Sequence, residues 1–265
     1  MDRIRMEEMK WPEIKQAIAS GFTTAVFAVG STEQHGPYLP EMTDARIGDA
    51  LAERVARKLG HALHARTVEV GISEHHLAFP GTISLKPDTL FLVLRDYVDS
   101  LARHGFTRIA ILPSHGGNFT TVRRAIVESR KVHPGIEITG FTDLLALTDF
   151  LNGLSAAYGV SAEESGAHAG ESETSMMMAL EPGLVAPGPF SPGYVGPAGE
   201  AEMKLIFEKG MTALTANGIL GDPRKASAEK GEVYLEHFVE YIVLKIASPG
   251  GAFAPSTRAP KRSAA

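Results

Sequence analysis

Cysteine is absent from the 265-residue chain, which excludes disulfides, thiolate metal ligands and a cysteine nucleophile together. Aromatic residues make up only 7%, with one tryptophan, Trp11, near the start. No apolar run approaches the roughly 18 residues that a membrane span needs. The opening Met1-Asp2-Arg3-Ile4-Arg5-Met6-Glu7-Glu8 lacks the apolar stretch of a secretory signal. Positive charge is not in surplus either: the formal net charge is −5, which gives no electrostatic case for a nucleic-acid partner. His-Glu-x-x-His, Gly-x-Ser-x-Gly and the Walker phosphate loop are all missing. What remains is an ordinary globular composition, 44% apolar and 22% charged, with no membrane partner expected and a cytoplasmic location as the simplest expectation.

The pattern along the chain is an alternation of short apolar runs and amphipathic stretches. Thr23–Val29 is continuously apolar after its threonines and stops at Gly30, as a buried parallel strand does. Asp44 precedes an amphipathic stretch, Ala45–Leu59, closed by Gly60. Leu63–Val70 reads as a strand, Asp88–Arg103 as a helix opened by Pro87, and Arg108–Leu112 as a central strand. A helix over Phe119–Val132, a strand over Ile136–Phe141 and a short helix over Asp143–Leu151 follow. Strands alternating with helices predict an α/β fold, three αβα layers around a mostly parallel sheet. Pro182–Pro197 reads as a long surface loop that could serve as a lid, and Gly231–Ala247 as a last helix. Residues 1–247 are expected to form one domain, with 248–265 a disordered tail rich in Gly, Pro, Ser and basic residues.

Chemistry concentrates in four segments. In Gly30-Ser31-Thr32-Glu33-Gln34-His35-Gly36, Glu33 and His35 are two apart, so an extended backbone puts both on one side. Asp44 is either the N-cap of the helix after it or a carboxylate able to bridge two cations. In Ser114-His115-Gly116-Gly117-Asn118, His115 stands at the carboxyl edge of the sheet. The Gly116 and Gly117 amides there could hold an oxyanion; the alternative is a tight turn with Asn118 as helix cap. In His168-Ala169-Gly170-Glu171-Ser172-Glu173, a helix starting near Gly170 sends Glu171 and Glu173 to faces about 200° apart, so only one enters a given site. Glu173 lies on the face of Met177 and Leu180 and needs a partner there, whereas Glu171 reads as a first-turn carboxylate facing the helix dipole. His75 and His76 precede the Pro80-Gly81 turn and could line a pocket; the other histidines read as structural or surface residues. Carboxylates mixed with imidazoles suit Zn, Mn or Fe.

Taken together and in order, Gly30–Pro40, Thr43-Asp44, Phe79–Leu85, His115–Asn118, His168–Ser175 and Gly221–Gly231 resemble the creatininase (creatinine amidohydrolase) family over roughly Trp11 to Ala247. The resemblance implies a creatininase-like αβα domain, two divalent metal ions, hydrolysis of non-peptide amide bonds and a homo-oligomer, commonly a hexamer. Carried over by position, Glu33, His35, Asp44 and His115 are metal ligands, with Asp44 bridging, and His168 protonates the leaving nitrogen. Creatinine-hydrolysing members have a carboxylate where this chain has Gly117, and a pocket lined with Trp. The Gly-Gly form resembles members acting on other amides, including pyrimidine-nucleotide deformylases and mycofactocin-type peptidases. The missing carboxylate shifts weight to Glu173 as a ligand and catalytic group. His75, Gly116 and Gly117 are the substrate-side candidates. The expected reaction is metal-dependent hydrolysis of a C–N bond in a small cyclic or related non-peptide amide. The alternatives are a deformylase, for which Arg46, Arg123 and Arg124 are candidate phosphate anchors, and a non-catalytic metal- or ligand-binding protein.

Overall fold

In the computed structural model, which describes residues 3–197 and 199–247, four strands form one parallel sheet in the order β2-β1-β3-β4. These are β1 (Thr24–Val29), β2 (Ala62–His64), β3 (Arg108–Pro113) and β4 (Glu137–Thr139). β1 and β3 pair along their whole length, from Thr24 opposite Arg108 to Val29 opposite Pro113. Every residue of β1 is buried, the signature of a strand covered on both faces.

The helices are α1 (Trp11–Ala19), α2 (Thr43–Leu59), α3 (Pro87–Arg103), α4 (Phe119–Val132), α5 (Leu144–Ala156), α6 (Ala162–Ser165), α7 (Glu171–Leu180), α8 (Glu200–Lys209) and α9 (Ala228–Ala247). α2 packs with α7 and α9, while α3 pairs with α4, so helices flank the sheet in the expected α/β arrangement. The core holds the inward residues of both groups, among them Phe27, Leu51, Leu94, Ile111, Val122, Met177 and Ile242.

The order 2-1-3-4 makes the chain leave β1 toward one edge of the sheet and leave β3 toward the other. Ligand sites in such sheets form at that divergence, outside the carboxyl ends of the two strands. β2 and β4 are three residues each, shorter than the runs expected over Leu63–Val70 and Ile136–Phe141. The remainder of the first run continues as an irregular segment joined to the sheet by one bridge, Val29 to Val68. α1, α6 and α8 were not expected from the sequence. Among its described residues the segment between α7 and α8 contains no helix or strand, and Tyr194 in it bridges to Leu220. The tail expected over 248–265 lies outside the described residues.

Candidate metal centre

The divergence of β1 and β3 collects the polar side chains. Glu33 and His35 lie in the segment after β1, His115 directly follows β3, and Asp44 sits in the first turn of α2. Gly30 makes the approach of α2 feasible: a Cβ there would stand 2.5 Å from the Ala45 Cα, so any side chain would push Asp44 away. Asn118 fastens the two strand ends. Its Nδ2 donates to the carbonyls of Val29 at 3.0 Å and Gly30 at 2.9 Å, and its Oδ1 accepts from the Ile72 amide at 3.0 Å. Asn118 occupies the N-cap position of α4, but its side chain makes no cap bond because these three bonds consume it. Asp44 is not an N-cap either: the helix begins one residue earlier, and the carboxylate turns inward.

The second half of the chain delivers His168 and Glu173. His168 is held by an antiparallel bridge to Leu220, with the Leu220 amide donating to its carbonyl at 2.9 Å. The next residue, Ala169, takes a left-handed φ of 51°, a conformation costly for a residue with a Cβ and found where a site over-determines the backbone. Its amide donates to Glu173 Oε2 at 2.6 Å, which holds the carboxylate of the first α7 turn over the centre.

The geometry forms two nests that share Asp44. Asp44 Oδ2 lies 3.1 Å from His115 Nδ1, which is 3.2 Å from Glu33 Oε1. Asp44 Oδ1 lies 3.4 Å from His35 Nε2, which is 3.8 Å from Glu173 Oε2. Ligand atoms about 2.1 Å from a common tetrahedral ion sit about 3.4 Å apart, so both nests have the span of a metal site. Histidine tautomers agree. His35 Nδ1 donates to the Glu33 carbonyl at 3.0 Å and His115 Nε2 to the Ile72 carbonyl at 2.9 Å, which turns the other nitrogen of each ring toward Asp44. Glu33 Oε1 and Oε2, His35 Nε2 and Asp44 Oδ2 are all buried without a hydrogen-bond partner. Buried carboxylate oxygens in that condition are costly unless a cation meets them, so the residues present fit a divalent ion.

The proton affinities reflect excess negative charge. Burial alone would depress His35, but Asp44, Glu173 and Glu33 outweigh it and push the imidazole up to about 10. His115 is likewise raised well above its ordinary value, against its burial, by Glu33 and Asp44. Burial works to raise Asp44, yet His35 and His115 hold it well below the usual carboxylate range. Glu173 goes the other way, pushed up to about 7 by burial despite the opposing pull of His35. His168 is pushed down to about 3 by burial and by His35. It is therefore neutral, with Nε2 donating to the Gln34 carbonyl at 2.6 Å and Nδ1 bare, 3.7 Å from Glu33 Oε1.

His76, read only as a pocket-lining residue from the sequence, belongs to the centre. Its Nε2 lies 3.3 Å from Glu33 Oε1, and its Nδ1 accepts from Gln34 Nε2 at 2.8 Å. Gln34, the residue between Glu33 and His35, was overlooked; the only available signal was its place inside a bracketed Glu-x-His. His75 lines the cavity over the centre and stacks on His115 with ring centroids 5.8 Å apart. Gly116 and Gly117 line that cavity too. Glu171 corrects the sequence reading: it is fully buried, paired with Lys230 at 2.7 Å and hydrogen-bonded to Ser175 and Tyr234, so it clamps α7 to α9 rather than serving the helix dipole. The three arginines considered for phosphate are engaged elsewhere. Arg46 pairs with Glu181 at 2.5 Å, Arg123 donates to the Thr142 carbonyl, and Arg124 pairs with Asp88 at 2.7 Å. Trp11 is 75% exposed on α1 and lines no cavity over the centre.

Residues 7–246 match the family model described as Creatininase, creatinine amidohydrolase. A mycofactocin precursor peptide peptidase of Mycolicibacterium smegmatis is 34% identical over 77% of this chain and 76% of its own length. The crystal structure of a creatinine amidohydrolase superposes with a TM-score of 0.78 at 27% identity, covering 93% of this chain and 98% of that one. A mutant creatininase of Zn-Zn type superposes with a TM-score of 0.74 at 27% identity, covering 93% and 97% of the two chains.

Proposed function

The chain belongs to the creatininase family, and from that premise we propose that it is a metal-dependent amidohydrolase that cleaves the C–N bond of a small cyclic amide or a related non-peptide amide. The observation that carries this reading is the convergence of four buried, unpartnered ligand atoms on Glu33, His35 and Asp44. Glu33, Asp44 and His115 would hold one divalent ion, and His35, Asp44 and Glu173 the other. Such ions, Zn, Mn or Fe by their donor set, supply Lewis acidity and lower the pKa of water toward neutrality.

The chain's own groups account for the rest of the reaction. Addition of water puts a hydroxyl on the amide carbon and requires a proton on the departing nitrogen. His168 Nδ1 is bare, faces the centre and is positioned to take a proton and pass it on, while the Nε2 bond to Gln34 fixes the ring. Glu173, a ligand in this arrangement, would be deprotonated once an ion is bound, which leaves His168 as the group for that transfer. Gly116 and Gly117 line the cavity at the start of the turn after His115, and their amides are candidate donors to a developing oxyanion.

Neither alternative finds support of equal weight. The cavity wall over the centre contains no Lys or Arg, so a nucleotide phosphate would meet no counter-charge. A purely binding role leaves unexplained why His168 is 7% exposed and turned into the centre. The test is elemental analysis combined with turnover of metal-loaded protein on cyclic amides, imides, formamides and a peptide amide, with His168→Ala as the control. Two ions per chain and a hydrolysed substrate that His168→Ala leaves intact are expected. Protein purified without stoichiometric metal, and inert after loading, overturns the proposal.

A further inference from the structure

Beside the cavity over the metal centre, which measures ≈ 60 Å³, opens a second one of ≈ 160 Å³. The two share Asp44, Glu173 and Met203, so they are chambers of one site. The far wall of the larger chamber is hydrocarbon: Phe119 at the start of α4, Leu144, Leu147 and Leu151 on the inner side of α5, Met176 on α7 and Phe238 on α9. Among the described residues no Lys or Arg lines it, Asp44 and Glu173 are its only charged groups, and Ser114, Thr148 and Ser172 add uncharged hydroxyls.

We propose that this annex is a specificity subsite that takes an uncharged apolar arm, of the size of an isobutyl or benzyl group, attached to the scissile amide. The inference rests on the amide chemistry proposed above. Size supports it, because a cavity of about 150 Å³ walled by aliphatic and aromatic side chains is large enough to hold benzene. Charge supports it as well. A cationic or anionic arm would lose its hydration with no opposite charge among the residues that line the hydrocarbon part of the chamber. A substrate that reaches both chambers is therefore polar at one end and hydrocarbon at the other. Methyl-sized substituents leave the annex wall uncovered and forfeit its contribution.

The experiment uses the full chain carrying 13C-methyl methionine, loaded with Zn, and two matched pairs of amides: acetamide with phenylacetamide, and formamide with N-benzylformamide. The methyl resonance of Met176 reports entry into the annex, that of Met203 at the junction reports occupancy of either chamber, and product release reports hydrolysis separately. Expected is a shift of the Met176 methyl with at least one of the two benzyl compounds and with neither small one, and a kcat/KM preference for that compound of about 10-fold or more. Leu144→Trp and Thr148→Phe, which fill the annex from two positions on α5, should each abolish the Met176 shift and reduce the preference to about 2-fold or less. A Met176 shift without hydrolysis of any amide would support the annex and count against the proposed chemistry. Equal hydrolysis of the small and benzyl compounds with an unmoved Met176 methyl would overturn the annex and leave the chemistry standing.

Discussion

Two clusters in this molecule, one buried and one partly exposed, are built from the same residue types, five residues apart on one helix. Around Asp44, Glu33 and Glu173 gather with His35 and His115; around Asp49, Glu7 and Glu53 gather with His64. The difference is who supplies the cation. At Asp49 the chain does so itself, since Arg5 reaches Asp49 at 2.8 Å, Glu53 at 2.8 Å and Glu7 at 2.9 Å. At Asp44 no Lys or Arg among the described residues pairs with the carboxylates, and several of their oxygens are left without partners. Acidic residues near a histidine are therefore no sign of a metal site by themselves; a cluster that the fold leaves unneutralised is the better candidate.

The sharpest way to break this contrast is Asp44→Ala. Loss of the shared carboxylate should drop metal content from two ions per chain to below one, and lower kcat/KM by at least about 10²–10³-fold, read by elemental analysis and steady-state kinetics. Arg5→Ala should do the opposite kind of damage. It leaves three carboxylates facing one another without their guanidinium and should cost about 1–3 kcal/mol of stability in denaturant unfolding, while metal content stays the same. Gly117→Glu tests whether the centre accepts another acid. A Cβ there would meet the Ile72 carbonyl oxygen at 2.2 Å, so the variant should lose about 1–3 kcal/mol rather than gain creatinine hydrolysis, whereas Gly116→Ala, with its nearest contact at 3.8 Å, should be tolerated.

Proton exchange separates the clusters more gently. His35, raised to about 10, must lose its proton to bind an ion, and Glu173, raised to about 7, must do so in part. Calorimetry in buffers of different ionisation enthalpy should find about one proton or more released per chain on metal uptake, with more at pH 6 than at pH 9, and affinity should rise with pH. The same sign governs the metal-free fold. Both groups bind protons more tightly folded than unfolded, so their contribution is complete below about 4.5 for Glu173 and about 6.5 for His35. It is lost as pH rises through about 7 and about 10 respectively. The smallest effect is expected at His64, whose two ring nitrogens are buried without hydrogen bonds. His64→Leu should change the unfolding midpoint little, because it removes polar atoms that the fold does not satisfy.

Periodicity located the long elements well: the helix expected at Phe119–Val132 has those limits, and α2, α3 and α9 start only one to three residues earlier than their patterns suggested. It failed where tertiary contacts set the structure. The run at Leu63–Val70 has strand composition, but only its first residues pair with β1, because the chain turns there to carry Ser73 and His76 under the centre. Glu33, His35, Asp44 and His115 could be singled out as candidates because they lie in the loop after a strand, at a helix start or directly after a strand, and the fold brings the four together at the sheet's carboxyl edge. The roles of Glu171 and Glu173 were separable by the helical angle alone, but not which of them the core would claim: Lys230 and Tyr234, some sixty residues away, decide that. His76 lacked any local sign, since its partner Glu33 is 43 positions distant and only the folded loops bring them together.

Gly117 also sets how His115 is aimed. With no side chain in the way, the Ile72 segment lies against that backbone, and its carbonyl orients His115. An acid at position 117 would expel the very carbonyl that aims the neighbouring imidazole, so the glycine works as a spacer whose emptiness fixes the direction of the ring beside it.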